Sequence, residues 1–356
     1  MYISAETLDD LLIKVYRRLL RNKSDANINP TKGLATEING TLLQIRNPRA
    51  RLSRTERKNT LFSCLGELLW YLAGSNELKF IQYYIPTYHK YSNDGETIFG
   101  AYGPRLFALN GRIDQVKNVV ETLKKNGDSR RAVIQLFQGE DLAENLVERK
   151  NDLPCTCTLQ FTLRKRQLHL LVMMRSNDAF KGLPHDVFAF TMLQEIIARA
   201  LAVEIGLYKH AVGSLHLYAE DTQNALDYLE EGVQERAAMP AMPWGDPMMS
   251  IDILVKAEQA IRTGQRIKFD ALDPYWADLI RLLLIFRISK IPNTNSPSRK
   301  IRDIKGRMNS SFFDIYIQKR ENRLTRTSKP TEPFLFDAAA LDAQQPSGTP
   351  GNVNAD

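Results

Sequence analysis

Two runs with strand character, Thr158–Arg164 and Gln167–Met173, are separated only by the basic dipeptide Lys165–Arg166. So tight a turn pairs neighbouring strands antiparallel and leaves no room for a helical crossover. The rest of the chain mixes helices and strands without regular βαβ alternation. Residues 5–22 place Leu8, Leu11, Leu12, Val15, Tyr16, Leu19 and Leu20 at helical spacing, with Ser4 as a cap. The loop NINPTKGLATE leads to a strand at Thr41–Ile45. Residues 59–73 form a helix that is apolar on nearly every side, and Glu67 lies inside it. Further helices are expected at Ile113–Lys125, 186–202 and Leu217–Glu231, and further strands at Ala132–Phe137 and Leu207–Val212. The Met- and Pro-rich residues 237–249 read as a loop, and no internal repeat is found. The pattern predicts one α+β domain over residues 1–325, followed by a mobile tail over 326–356 that is rich in Pro, Ser, Gly, Ala and Asn.

Composition removes several function classes. The 356 residues are 43% hydrophobic and 25% charged, as in a globular protein. No apolar run reaches the roughly 20 residues a membrane helix needs. The opening MYISAETLDD lacks the basic and apolar regions of a secretory signal. Three cysteines, Cys64, Cys155 and Cys157, are too few and too unevenly placed for a disulfide framework. The expectation is therefore a cytoplasmic protein. No Cys/His pair has zinc spacing, so no metal is expected. The net charge of +7 admits a nucleic-acid partner or a phosphorylated small molecule. There is no long Lys/Arg block and no finger or RRM signature, and the arginines stand in small groups beside strands. That distribution favours the phosphorylated anion.

Four segments carry chemistry. LPCTCTLQF puts Cys155 after a proline at the start of a strand, although a lone cysteine is most simply a small buried hydrophobe. MMRSNDAFKGLPHD ends an apolar strand in Arg175, Ser176 and Asp178, a polar cluster of the kind that gathers ligands. GDSRRAV sets Arg130 and Arg131 side by side before a strand; a solvated turn is the plain alternative. GSLHLYAED places His216 and Tyr218 on one face of an extended chain. Glu67, among apolar neighbours, must be paired, hydrated or functional.

In order and spacing these segments resemble the motifs of the thymidylate synthase family. Pro-Cys at Cys155 is followed by Gln160–Phe161, then by Arg175–Ser176–Asn177–Asp178, then by Gly-Leu-Pro at 182–184. Glu-Leu-Leu-Trp stands at Glu67–Trp70, Asp-Ser-Arg-Arg at Asp128–Arg131, His-x-Tyr at His216–Tyr218, and Tyr-Gly at Tyr102–Gly103. The resemblance covers more than half of the chain. It implies a mixed or antiparallel sheet packed with helices and a homodimer formed through that sheet.

It also implies a mechanism. Addition of the Cys155 thiolate to C6 of a pyrimidine makes C5 enamine-like, and C5 then attacks a one-carbon electrophile. The thiol needs nearby positive charge to ionise, and Arg175 can supply it. Arg175 and Ser176 would hold the phosphate of a pyrimidine nucleoside monophosphate. Arg130 and Arg131 would reach that phosphate from the neighbouring subunit, and His216 and Tyr218 would contact the sugar hydroxyl. Tyr102 and Glu67 join the catalytic set. The electrophile in the family comes from 5,10-methylenetetrahydrofolate, and Asp178 resembles the residue that orients the pterin.

The departures from the family pattern are informative. After Gly-Leu-Pro the family has an aromatic residue and an asparagine that reads uracil; here stand His185 and Asp186. A carboxylate can accept from the N4 amino group of cytosine and share a proton with N3, which makes C6 more electrophilic. Asp186 thus resembles the (deoxy)cytidylate hydroxymethylase branch. Thr156 replaces the histidine that usually follows the cysteine. Lys32 stands where the family has a phosphate-binding arginine, keeping the charge and losing the fork. The short apolar segment that closes over the folate is not found in TPGNVNAD. An enzyme that adds water, with Glu67 orienting it, has less need of that lid. The expected activity is hydroxymethylation of CMP or dCMP at C5. The alternatives are a C5-methyltransferase, which would release dihydrofolate, and an idle nucleotide- or RNA-binding protein on the same fold.

Overall fold

The computed structural model describes residues 1–21, 27, 28, 30, 33–58, 60–267, 269, 272–291 and 296–327. Lys32 and residues 328–356 of the expected tail lie outside them. The elements are β1 (Tyr2–Ala5), α1 (Leu8–Arg21), β2 (Asn27–Ile28), β3 (Ala35–Ile45), α2 (Leu61–Leu72), α3 (Leu78–Tyr84), α4 (Tyr102–Phe107), α5 (Gln115–Lys125), β4 (Val133–Gln135), α6 (Gly139–Val147), β5 (Thr156–Arg164), β6 (Gln167–Asp178), α7 (Gly182–Ala200), β7 (Glu204–Tyr218), α8 (Thr222–Glu230), α9 (Met248–Thr263), α10 (Pro274–Ile288), α11 (Pro297–Lys305) and α12 (Asp314–Thr327). The fold is α+β, with a 7-stranded sheet in the order β1-β3-β7-β6-β5-β4 and β2 beside β3.

The β5–β6 hairpin forms as its two-residue link requires. Lys165 and Arg166 both take left-handed backbone, φ 50° and 58°, the conformation whose twist suits a two-residue hairpin. β6 and β7, by contrast, run parallel, because α7 crosses between them. β3 and β7 are antiparallel, so the sheet is mixed.

Several boundaries differ from expectation. Ser4 does not cap α1. It lies in β1, paired with Gln44 of β3, and Thr7 caps the helix by accepting from the Asp10 N–H at 3.1 Å. β7 is more than twice as long as the expected element and absorbs Leu217, expected in a helix, because β3 pairs with it there at Thr36. α7 begins at Gly182 rather than 186, which places Asp186 within its opening turns. α9 takes Met248 and Met249, expected at the end of a loop, and α10 to α12 occupy residues for which the sequence reading names no element. α12 continues to Thr327, past the expected domain end.

α2 is buried almost all round, as its composition demands. One sheet face meets the helices. On the other, Leu42, Ala211, Met173 and Thr158 form one row across β3, β7, β6 and β5. They are only partly covered, and Met173 is 51% exposed.

α7 is anchored at its far end by charge. The buried Glu195 carboxylate pairs with buried Arg51 and, at 2.7 Å, with Arg49, and accepts from the Met242 N–H at 3.0 Å. Burial alone would raise this carboxyl's pKa; Arg51 and Arg49 outweigh it and hold the group below the usual carboxylate value. A depressed pKa contributes stability above the ordinary range that is lost as pH falls. Glu195→Ala should cost about 3–5 kcal/mol, because it strands Arg51 without a partner in the interior. Urea unfolding at neutral pH checks this, and a loss near zero would show that α7 is held by packing alone.

Candidate active site

β6 and β7 end side by side. In their register Ser176 faces Ser214 and Asp178 faces His216, so the Arg-Ser-x-Asp and His-x-Tyr segments meet through backbone pairing. The His216 and Tyr218 rings lie 4.9 Å apart, edge to face. Across the hairpin, the Arg175 N–H donates to the Cys155 carbonyl at 2.9 Å. The Arg175 guanidinium folds back over the same turn: Nε donates to the Pro154 carbonyl at 2.9 Å and Nη2 to the Leu153 carbonyl at 3.1 Å. Nη2 also stands 3.7 Å from Cys155 Sγ. The thiol and its cation are therefore fixed by the strand pairing itself.

Behind the cysteine, Tyr102 of α4 is buried, and its hydroxyl accepts from Thr156 N–H at 3.1 Å and Thr156 Oγ1 at 3.0 Å. The phenol's pKa is raised well above its ordinary value, by burial first and then by Cys155 and Asp186. Thr156, read from sequence only as a missing histidine, thus supplies the support for Tyr102.

Glu67, 6% exposed, is neither unpaired nor free to rotate. It accepts from the hydroxyls of Tyr71 at 2.9 Å and Tyr88 at 2.6 Å. Tyr88 packs edge-on against Trp70 at 5.7 Å and Tyr91 at 5.4 Å. This forms an aromatic wall beside the carboxylate that suits a flat heterocycle.

Asp186 lies close to Glu67 and Tyr102, near enough for their charges to bear on one another. Asn177 Nδ2 donates to its Oδ2 at 2.7 Å. Its pKa lies well above the ordinary carboxylate value: desolvation raises it most and the Glu67 carboxylate adds to that, while the Asn177 bond opposes both. A residue reachable by water from the cleft is nonetheless packed by protein on its other sides. Neighbouring His185 is held by the Lys181 carbonyl and by Ser63 Oγ, each at 3.0 Å, and burial lowers its pKa. Asp178 turns its Oδ1 toward the N–H groups of Phe180 and Lys181, at 2.8 and 3.0 Å, closing the turn into α7. Beneath that turn lies Lys58, which no sequence motif marks. Its buried ammonium donates to the Phe180 carbonyl and sits 3.2 Å from the centre of that ring. Burial lowers its pKa to about 8 against the pull of Asp178 and Asp221.

Arg130 and Arg131 do not join this cluster. Both are exposed. The Ala132 carbonyl accepts from Phe161 N–H, six residues along β5 from Cys155. At about 3.3 Å per residue that is roughly 20 Å, beyond an arginine's reach. Asn177, Tyr71 and Tyr88 were missed in the sequence. Tyr71 was detectable as the i+4 neighbour of Glu67; Asn177 and Tyr88 are brought in only by the fold. Among the described residues no group of three or more His, Cys, Asp or Glu side chains could hold a metal ion. No helix among them is long and apolar enough to cross a membrane.

The thymidylate synthase family model matches residues 29–254, which contain every part of this cleft, and the chain belongs to that family. It is 29% identical over 215 residues to the deoxyuridylate hydroxymethyltransferase of Delftia phage PhiW-14, covering 57% of this chain and 59% of the relative. It is 32% identical over 196 residues to the deoxyuridylate hydroxymethyltransferase of Bacillus phage SP01, covering 52% and 51%. The chain thus spans between half and three-fifths of the length of these relatives.

The raised pKa of Asp186 has a consequence for stability. The native state binds this proton more tightly than the unfolded chain. The stability it contributes is therefore present at low pH and lost as pH rises through and above the ordinary carboxylate range. Asp186→Asn should gain stability over wild type as pH rises above the ordinary carboxylate range. Thermal melts across and above that range check it, and a pH-independent difference would mean that Asp186 ionises freely.

Proposed function

We propose that the protein transfers a one-carbon unit to C5 of a cytidine 5′-monophosphate and adds water to it, making the 5-hydroxymethyl nucleotide. The observation that carries this reading is Asp186. A carboxyl whose pKa is raised by burial and by Glu67 suits a ring nitrogen that must accept a proton, as N3 of cytosine does.

In this reading Arg175 and Ser176 bind the phosphate, with Lys32 as a further cation, and His216 and Tyr218 hold the sugar hydroxyl. Arg175 also favours the thiolate of Cys155. Sulfur adds to C6 while Asp186 gives its proton to N3. Methylenetetrahydrofolate, seated against Asp178 and the aromatic wall, supplies the one-carbon electrophile. Tyr102 lies where it can relay the proton that leaves C5 as the bond from the one-carbon unit to the folate nitrogen breaks and tetrahydrofolate departs with a proton on that nitrogen. Glu67, held by two tyrosines, orients the water whose oxygen bonds to the exocyclic methylene. The thiolate then leaves C6, and N3 returns its proton to Asp186. The folate is not oxidised, so no hydride need be shielded from water.

A second reading follows the relatives' names, with deoxyuridylate as substrate and the same hydroxymethyl product. Incubation with CMP, dCMP, UMP and dUMP plus methylenetetrahydrofolate, with products identified by mass, separates the two. A methyl product with dihydrofolate would establish the methyltransferase alternative, and no product with any substrate would leave an idle binding protein. Asp186→Asn should shift kcat/KM from cytosine toward uracil about ten- to a hundredfold, since one mispaired buried polar group is worth about 1–3 kcal/mol. An unchanged ratio would remove Asp186 as the base reader.

We also propose a homodimer formed through the partly covered sheet face. The span of roughly 20 Å between Arg130–Arg131 and Cys155 of one chain supports donation across that interface. Arg131→Ala and Cys155→Ala chains, each inactive, should recover activity when mixed, because one heterodimer site keeps both functions. Absence of recovery after verified subunit exchange would refute the shared site.

A further inference from the structure

Asn177 occupies the variable position between Ser176 and Asp178, where the sequence assigns it no role. It is 4% exposed. Its Nδ2 donates to Asp186 Oδ2 at 2.7 Å, and its Oδ1 is buried with no partner among the described residues. Gly182 holds the space: a Cβ there would come within 3.1 Å of Asn177 Nδ2 and 3.5 Å of Asp186 Oδ2. The amide therefore sits on one carboxyl oxygen and is confined against it.

Resting on the cytosine reading above, we propose that Asn177 is a positioning residue that decides which oxygen of Asp186 carries the proton. An oxygen that already accepts an N–H bond is the less basic of the two, so Oδ2 stays an acceptor and the proton resides on Oδ1. Oδ2 has a second lone pair, which can accept from the N4 amino group of the base. Oδ1–H then faces N3. As the thiolate adds to C6, that O–H bond breaks and an N3–H bond forms, leaving the charge on a carboxylate whose Oδ2 is held by Asn177. The amide thus stabilises the ionised form that the step produces. It does so in a cleft where the other groups around Asp186 are Cys64, Glu67 and Tyr71 of α2, Tyr102 of α4, Asp178 of β6 and Tyr208 of β7. None of these is a cation. The imidazole of adjacent His185 is turned to Lys181 and Ser63 and is itself kept neutral by burial. Among the described residues, Asn177 is then the one side-chain N–H donor to the carboxyl.

The test is a titration of the Asp186 carboxyl carbon by NMR in the free protein, with its signal assigned through its loss in Asp186→Asn. It is run on wild type, Asn177→Leu and Asn177→Asp. The leucine variant removes the donor while keeping the number and branching of the side-chain heavy atoms, and the aspartate variant removes it while keeping a polar group, so the failure of one to fold leaves the other. Either variant should move the Asp186 titration up by about one pH unit or more, and Asn177→Asp further, because it adds a like charge. The fall in kcat/KM with pH for the cytosine nucleotide should move with it. Turnover should fall about tenfold, with a smaller change in KM. A titration that stays in place in both variants overturns the proposal. Because the titration is read without substrate, it decides the role of Asn177 even if wild type turns over uracil, a result that would instead overturn the base assignment.

Discussion

The parallel pairing of β6 with β7 is the constraint on which the cleft depends. Parallel strands need a crossover, and the crossover here is α7. One register then does three things. It sets Ser176 and Asp178 beside Ser214 and His216, it aims the start of α7 back at the strand ends, and it places Asp186 over Asn177. The opposite edge of β6 pairs with β5 and fixes Arg175 against Cys155. Arg175, His216 and Tyr218 stand on strands of one sheet, Cys155 is tied to it through the Arg175 N–H, and Asp186 stands on the helix that crosses between two of those strands, so the backbone that carries them is already ordered.

The cleft concentrates carboxylates where burial makes charge costly. Glu67, Asp178 and Asp186 share it, and they are treated differently. Glu67 is held by two phenols and Asp178 by two backbone N–H groups. Asp186 has a single amide and carries the raised pKa. Burial and a neighbouring like charge both raise a carboxyl's pKa, and at Asp186 the Asn177 bond opposes them only in part. Lys58 beneath the Phe180 turn shows the converse, a cation lowered to about 8 by the same dehydration.

Much of this was legible in residue order. The hairpin followed from two strands and a two-residue link. α2 followed from a helix apolar on every side, and the site segments from motifs whose spacing reflects strand and turn lengths. The elements misplaced were those whose ends tertiary pairing decides. β7 runs on to Tyr218 because β3 pairs with it to that end, while β6 pairs as far as His216. Ser4 joins a strand because Gln44 is there to pair with it. α10, apolar on most sides, offers no alternation that separates a buried helix from other buried structure.

The sequence by itself determined which groups are present: one cysteine after a proline, arginines in pairs and beside strands, and a carboxyl where its family reads uracil with an amide. These are matters of chemistry and spacing, and they survive any error in element boundaries. Only the tertiary structure decided which groups meet. Asn177 reaches Asp186 across a turn, Tyr88 reaches Glu67 from a separate segment, and Arg130 and Arg131 stand far from their own cysteine. Contacts of this kind depend on strand register and helix direction, which the sheet sets as a whole and no local stretch of sequence encodes.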